Sequence, residues 1–241
     1  MTKTTLLAVT LASCSFADPP AIIRVVRNSS IQPYTNAKAP VNVLGMVSIT
    51  GASETWLMEL HDTFGSFEDL EKTTSAFIQA QPSVPPDELL ASSKSLVAVY
   101  NAGLSYRPDQ AIQNLAKMRY FDVVVYRIRP GAEADFAKFL KLRGLGLDSI
   151  NLDRPNMVYQ VISGVAAGTY LVLTPLPSLR VLDDVRSVTP AYAEADQAAA
   201  KKIASDLELI REHLWFRLDP RVSYVSDDFA YGDSDFWRPA Q

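Results

Sequence analysis

The sequence predicts an α+β fold in which two tandem βαββαβ repeats pack their sheets together as a barrel within one chain. Three observations predict it. Ser-Tyr-x-x-Asp occurs twice, in "LSYRPDQA" and "VSYVSDDF", at a constant offset of 118 (223−105, 224−106, 227−109). Thr55, Trp56 and Leu57 answer Thr169, Tyr170 and Leu171 at an offset of 114, while Phe67 and Phe77 answer Leu182 and Tyr192 at 115. The offset grows slowly along the chain, as small loop insertions after a duplication would make it grow. Third, both halves carry strand-like and helix-like runs in one order.

In the first half the strands are "IIRVV", "VLGMVSI", "TWLMEL" and "SLVAVY", each rich in β-branched or large apolar residues. The expected first helix is replaced by "NSSIQPYTNAKAPVN", which is polar and broken by Pro33 and Pro40, and predicts an irregular loop. In the second half "YFDVVVYRI" is a strand, "RPG" ends it, and "AEADFAKFLKLRGL" is amphipathic, with Phe136, Phe139 and Leu140 on one side. "MVYQVIS" and "TYLVLT" are strands joined by a turn through Gly164 and Gly168. A helix follows from about Leu179, breaks at Thr189-Pro190 and runs through "DLELIREH", which places His213 at a helix C-terminus; "LWFRL" closes the repeat. The order is the ferredoxin-like split. Each such sheet covers one face with its helices, and two tandem sheets can bury their other faces against each other. The division expected is 1–17, a leader; 18–119, the first repeat; 120–241, the second with its tail.

Of 241 residues, 48% are hydrophobic and 21% charged, an ordinary globular balance with material for a sizeable core. Net charge is −4 and no basic stripe is present, which argues against a nucleic-acid partner. One cysteine precludes an internal disulfide framework and any multi-cysteine metal site. P-loop, dinucleotide, Gly-x-Ser-x-Gly and His-Glu-x-x-His signatures are all missing.

The opening "MTKTTLLAVTLASCSFADPP" has a basic start, a short apolar run and small residues, in the order of a secretory leader. "SFA" suits cleavage before Asp18; "LASC" suits a lipoprotein signal that acylates Cys14. Either reading exports the protein, to the periplasm or beyond, with lipidation of Cys14 the one membrane attachment expected; the plainer alternative is a disordered cytosolic N-terminus.

The stretch "VVVYRIRPGAEADFAKFL" resembles the opening strand and helix of the dimeric α+β barrel superfamily, in its NIPSNAP-like and antibiotic-biosynthesis-monooxygenase-like branches. The shared features are the apolar strand, Pro130-Gly131 and Phe136, and they cover directly about 121–142. The first repeat lacks this signature. The resemblance implies an intramolecular barrel, and cofactor-independent oxygenation, isomerisation or haem chemistry as activities. Neither of the two histidines lies in an alignable haem motif, so no ligand role is carried over and the cofactor stays open.

Strand alternation assigns candidate residues to faces. In "TWLMELHD", Thr55, Leu57, Glu59 and His61 share the face expected to look into the barrel, while Trp56, Met58 and Leu60 pack on helices. Glu59 and His61 are therefore candidate catalytic residues, a carboxylate tuning an imidazole in a central pocket. The simpler reading makes His61 an exposed strand-end residue beside Asp62. Tyr106, Tyr126, Tyr159 and Tyr224, with Arg127, are candidate ligand-binding residues for a small apolar or aromatic molecule; the plainer reading is an aromatic core in a barrel that serves only as a scaffold. In the tail, Phe229, Tyr231, Phe236 and Trp237 are expected to fold back over an apolar edge.

Overall fold

A computed structural model of the chain describes residues 18–27, 41–80, 94–183, 194–207 and 210–238. The leader with Cys14, the Pro33–Pro40 loop and the Thr189-Pro190 break lie outside the described residues. All eight expected strands are present: β1 (Ile22–Arg27), β2 (Asn42–Ser48), β3 (Thr55–His61), β4 (Lys94–Tyr100), β5 (Tyr120–Arg127), β6 (Met157–Ser163), β7 (Thr169–Leu176) and β8 (Ile210–Leu218). The described helices are α1 (Phe64–Ala80), α2 (Pro108–Gln113), α3 (Glu133–Ser149), α4 (Glu194–Asp206), α5 (Asp227–Tyr231) and α6 (Ser234–Trp237).

The strands close into one antiparallel barrel, ordered β1-β3-β2-β8-β5-β7-β6-β4. Each half contributes a ferredoxin-like sheet, β4-β1-β3-β2 and β8-β5-β7-β6, and the seams β2–β8 and β6–β4 join them. Closure gives each of these strands a partner on both sides, although β2 meets β8 over only three residue pairs. Large side chains, including Trp56, Met58, Phe121, Tyr159 and Phe216, fill the interior with almost no exposure.

The segments after β4 and β8 repeat one another and close the same mouth. Each has a short 3-10 turn (Ala102–Leu104; Pro220–Val222) and then a helix. They meet where Trp237 Nε1–H donates to Ala116 O at 2.7 Å. Phe229 and Trp237 are buried and Phe236 packs beside them, as expected of the tail; Tyr231, 80% exposed, does not. Ser226 caps α5, accepting from Phe229 N.

Two expectations are corrected. His213 does not end a helix; it lies in β8, which starts at Ile210 and pairs with β5 over eight residues. Pairing with a central strand outweighs the helical run-in of "DLELIREH". The face assignment of β3 is also reversed. Trp56, Met58 and Leu60 enter the barrel, and Leu57, Glu59 and His61 face outward beneath α1. Register gives the reason. Ile23 pairs with Leu60 and Ala98 as Phe121 pairs with Pro175 and Phe216, so Leu60 answers Pro175 at an offset of 115, not 114. A one-residue change moves every side chain to the other face.

Candidate functional site

The outer faces of the two half-sheets hold two related constellations. Continuing the same register, Arg24 answers Asp122, Glu59 answers Thr174, Val97 answers Trp215 and Ser95 answers His213. Identical scaffold positions therefore carry different chemistry.

In the first half the space between sheet and helix is filled by an ion network. Arg24 Nε and Nη2 donate to the two carboxylate oxygens of Glu59, each at 2.6 Å, a bidentate pair. Arg24 also pairs with Glu71 of α1 and lies 5.1 Å from the ring centre of Phe67. His61 Nε2 is 3.2 Å from Glu59 and Nδ1 is 3.3 Å from Ser66 Oγ. The Glu59 and His61 side chains are both 0% exposed, so His61 is not the exposed strand-end residue of the simpler reading. These two candidate catalytic residues are neighbours, as alternation predicts, but beneath a helix instead of inside the barrel.

In the second half the matching space is open. A cleft of about 550 Å³ lies between the outer face of β5–β8, helix α3 and the 3-10 turn Leu179–Leu182. Its floor carries Asp122, His213 and Trp215; Arg143 of α3 and Arg154 of the α3–β6 loop reach it from the side. His213 Nε2 is 2.5 Å from Asp122 Oδ1. Asp122 is 91 residues away in sequence, brought alongside by the β5–β8 ladder. An ionised carboxylate only accepts, so it fixes the tautomer with Nε2–H and leaves Nδ1 as the basic nitrogen. His213 meets Trp215 edge to face, ring centres 6.0 Å apart.

The candidate tyrosines scatter. Tyr159 enters the barrel, where its hydroxyl donates to Pro20 O at 3.0 Å, and burial pushes its pKa up. Tyr126 lies outside, under α3, not in the interior; its hydroxyl accepts from Arg143 Nη1 at 3.0 Å. Tyr106 packs on Gly144 of α3 and donates to Asp148 at 2.5 Å. Tyr224 makes a backbone bridge to Val43, and Arg127 is exposed at the end of β5. So only Tyr126 touches the cleft, through Arg143. Asp122, Trp215, Arg143 and Arg154 escaped the sequence reading. The missing signal was pairing register, which no local pattern carries.

Among the described residues no three His, Cys, Asp or Glu side chains converge as a metal site. His61 is sealed under α1 and does not fit an axial haem ligand.

Solved structures of similar shape are known. An anthrone oxidase-like protein aligns with a TM-score of 0.58 at 11% identity, covering 84% of this chain and 92% of its own. A candidate monooxygenase of Fusobacterium nucleatum aligns at 0.49 and 12% identity, covering 84% and 93%. The chain has the dimeric α+β barrel fold. Here one chain supplies both sheets of that barrel. No protein-family model matches the sequence, and no curated protein does.

Proposed function

We propose that this α+β barrel is an oxygenase-type enzyme that oxidises a small aromatic molecule in the β5–β8 cleft, with His213 as the base and Asp122 as its orienting partner. The observation that carries the reading is the 2.5 Å Asp122–His213 pair on the floor of a cleft flanked by Trp215. The anthrone oxidase-like neighbour suggests the reaction class. An aryl-activated methylene is acidic enough for an imidazole base assisted by a carboxylate.

In this scheme Nδ1 of His213 takes a proton from the methylene. The carbanion gives one electron to dioxygen, and the resulting radical pair joins carbon to oxygen. The proton returned from His213 makes the hydroperoxide. Breaking its O–O bond and losing the second methylene hydrogen yields a ketone and one water. Dioxygen is the oxidant and all atoms balance. Arg143 and Arg154 would stabilise the negative charge that develops on the ring oxygen and the peroxide. The Glu59–His61 pair takes a structural role, because its atoms are already committed to Arg24 and Ser66.

Oxygen uptake with anthrone and related fused phenols tests the reading. Wild-type protein should consume one dioxygen per ketone formed, and His213→Gln should lower the rate by about 10²–10⁴-fold while keeping its fold. Equal rates in the two proteins would reject it.

We also infer export, with cleavage before Asp18. Pro19 and Pro20 are buried and Tyr159 holds Pro20 O, so barrel contacts are already made just after Asp18. Sequencing the N-terminus of the exported protein distinguishes Asp18 from an acylated Cys14.

A further inference from the structure

We infer that Arg154 sets the length of ligand that the β5–β8 cleft accepts, as a partition between that cleft and a second space beside it. The inference rests on the assignment of that cleft as the site. The second space has a volume of about 300 Å³ and is walled by Met118, Pro175 and Leu176 with neighbouring residues. Among the described residues, Arg154 alone lines both spaces.

The two spaces are adjacent on the same sheet and under the same turn. Asp122, on the cleft floor, pairs with Thr174 of β7, and Pro175 and Leu176 follow directly in that strand. The 3-10 turn Leu179–Leu182 serves both, since Leu179 and Leu182 line the cleft and Val181 lines the second space. The Arg154 guanidinium reaches that turn and donates to Val181 O.

Sequence holds this partition in place. Pro155 restricts the backbone of Arg154 to extended conformations. The side chain then crosses from the α3–β6 loop to the turn, so it is tethered at both ends. Ser178 caps the turn, its Oγ accepting from Arg180 N at 3.2 Å, and Pro175 and Pro177 stiffen the approach. Between its ends the arginine presents a hydrocarbon stem. A ring beside His213 whose apolar chain runs along β7 would stop against that stem. Removing the side chain beyond Cβ would join the two spaces. The polar members of the second space, Gln110 and Asp153, are exposed, so what it would take is a hydrocarbon tail and not an anion.

The experiment is calorimetric binding of a series of 4-n-alkylphenols, from methyl to octyl, to wild-type protein and to Arg154→Ala. Affinity should rise roughly fourfold for each methylene that leaves water. In wild-type protein the rise should stop within the series. In Arg154→Ala it should continue, so that the longest phenols gain on the order of tenfold or more over the wild-type plateau. Loss of the guanidinium charge alone would shift every member equally and leave the plateau where it was. An unmoved plateau, a wild-type series that rises without a break, or no binding of any member overturns the proposal. Should the variant fail to fold, a photoreactive diazirine at the end of the octyl chain decides in wild-type protein. It should label Leu179 or Leu182, and labelling of Met118 or Leu176 overturns the proposal. Binding needs no turnover, so the two readings fail separately. A plateau that Arg154→Ala lifts, with no oxygen uptake, sinks the oxygenase alone. Oxygen uptake with an unmoved plateau sinks the partition alone.

Discussion

Ser105 and Ser223 make the same two hydrogen bonds in the two halves of the barrel. Ser105 Oγ donates to Asn101 O at 2.8 Å and accepts from Val158 N at 2.9 Å. Ser223 Oγ donates to Asp219 O at 2.7 Å and accepts from Gly45 N at 2.8 Å. The next residues repeat the pattern, with Tyr106 bridging Asn156 and Tyr224 bridging Val43. The duplicated Ser-Tyr motif is thus a clamp that ties the exit of each fourth strand to a strand of the opposite sheet. Replacing either serine with alanine leaves a ladder N–H unsatisfied and should cost about 1–2 kcal/mol. Urea titration of the single and double variants checks this, and the two losses should nearly add.

Gly45 sits where the second clamp crosses β2. A Cβ built there would lie 2.2 Å from the backbone oxygen of Val222, so a side chain can be accommodated only by moving the main chain. Gly45→Ala should therefore destabilise by about 2–3 kcal/mol, at the upper end for overpacking. The midpoint of denaturant unfolding measures it.

The Arg24–Glu59 pair predicts a split between stability and activity. Glu59→Gln takes the bidentate carboxylate away from the Arg24 guanidinium, which is 13% exposed. The loss should be about 3 kcal/mol, as for breaking a buried pair from one side. His61→Ala should lower the melting temperature as well. Neither change should alter oxygen uptake per folded molecule; a selective loss of turnover in His61→Ala would return catalysis to the first half.

On the cleft side the expectation is reversed. Asp122→Asn releases the tautomer of His213, whose side chain is 42% exposed and carries little of the core. Turnover should drop, while the unfolding midpoint changes far less than in Glu59→Gln. Steady-state rates, beside thermal scans, separate the two effects.

Tyr106 predicts the behaviour in alkali. Burial first, and then its hydrogen bond to Asp148, push its pKa up to about 12. The folded state then keeps a proton that the unfolded state, titrating near the ordinary value of about 10, has released. Stability from this source is complete below that ordinary value and is lost as pH rises through about 12. Tyr106→Phe should flatten the decline over that window in chemical denaturation curves.

How much of this was legible beforehand differs element by element. The strands could be read because β-branched runs bounded by Gly and Pro mark them locally. "MVYQVIS" is β6 to the residue. Glu59 and His61 were readable as neighbours because alternation is a property of one strand. Their orientation was not, since the repeat match at 114 and the paired register at 115 differ by a residue that no single strand reveals.

The sequence by itself determined the duplication, the order of the eight strands, the fold class and the two histidines available for chemistry. Only the tertiary structure decided which face of each strand meets the core and which histidine meets a carboxylate beside open space. The physical reason is that both depend on pairing between distant strands. Barrel closure sets the register, and through it sets Asp122 against His213 across 91 residues, while the equivalent place in the first half is sealed by Arg24 and Glu59.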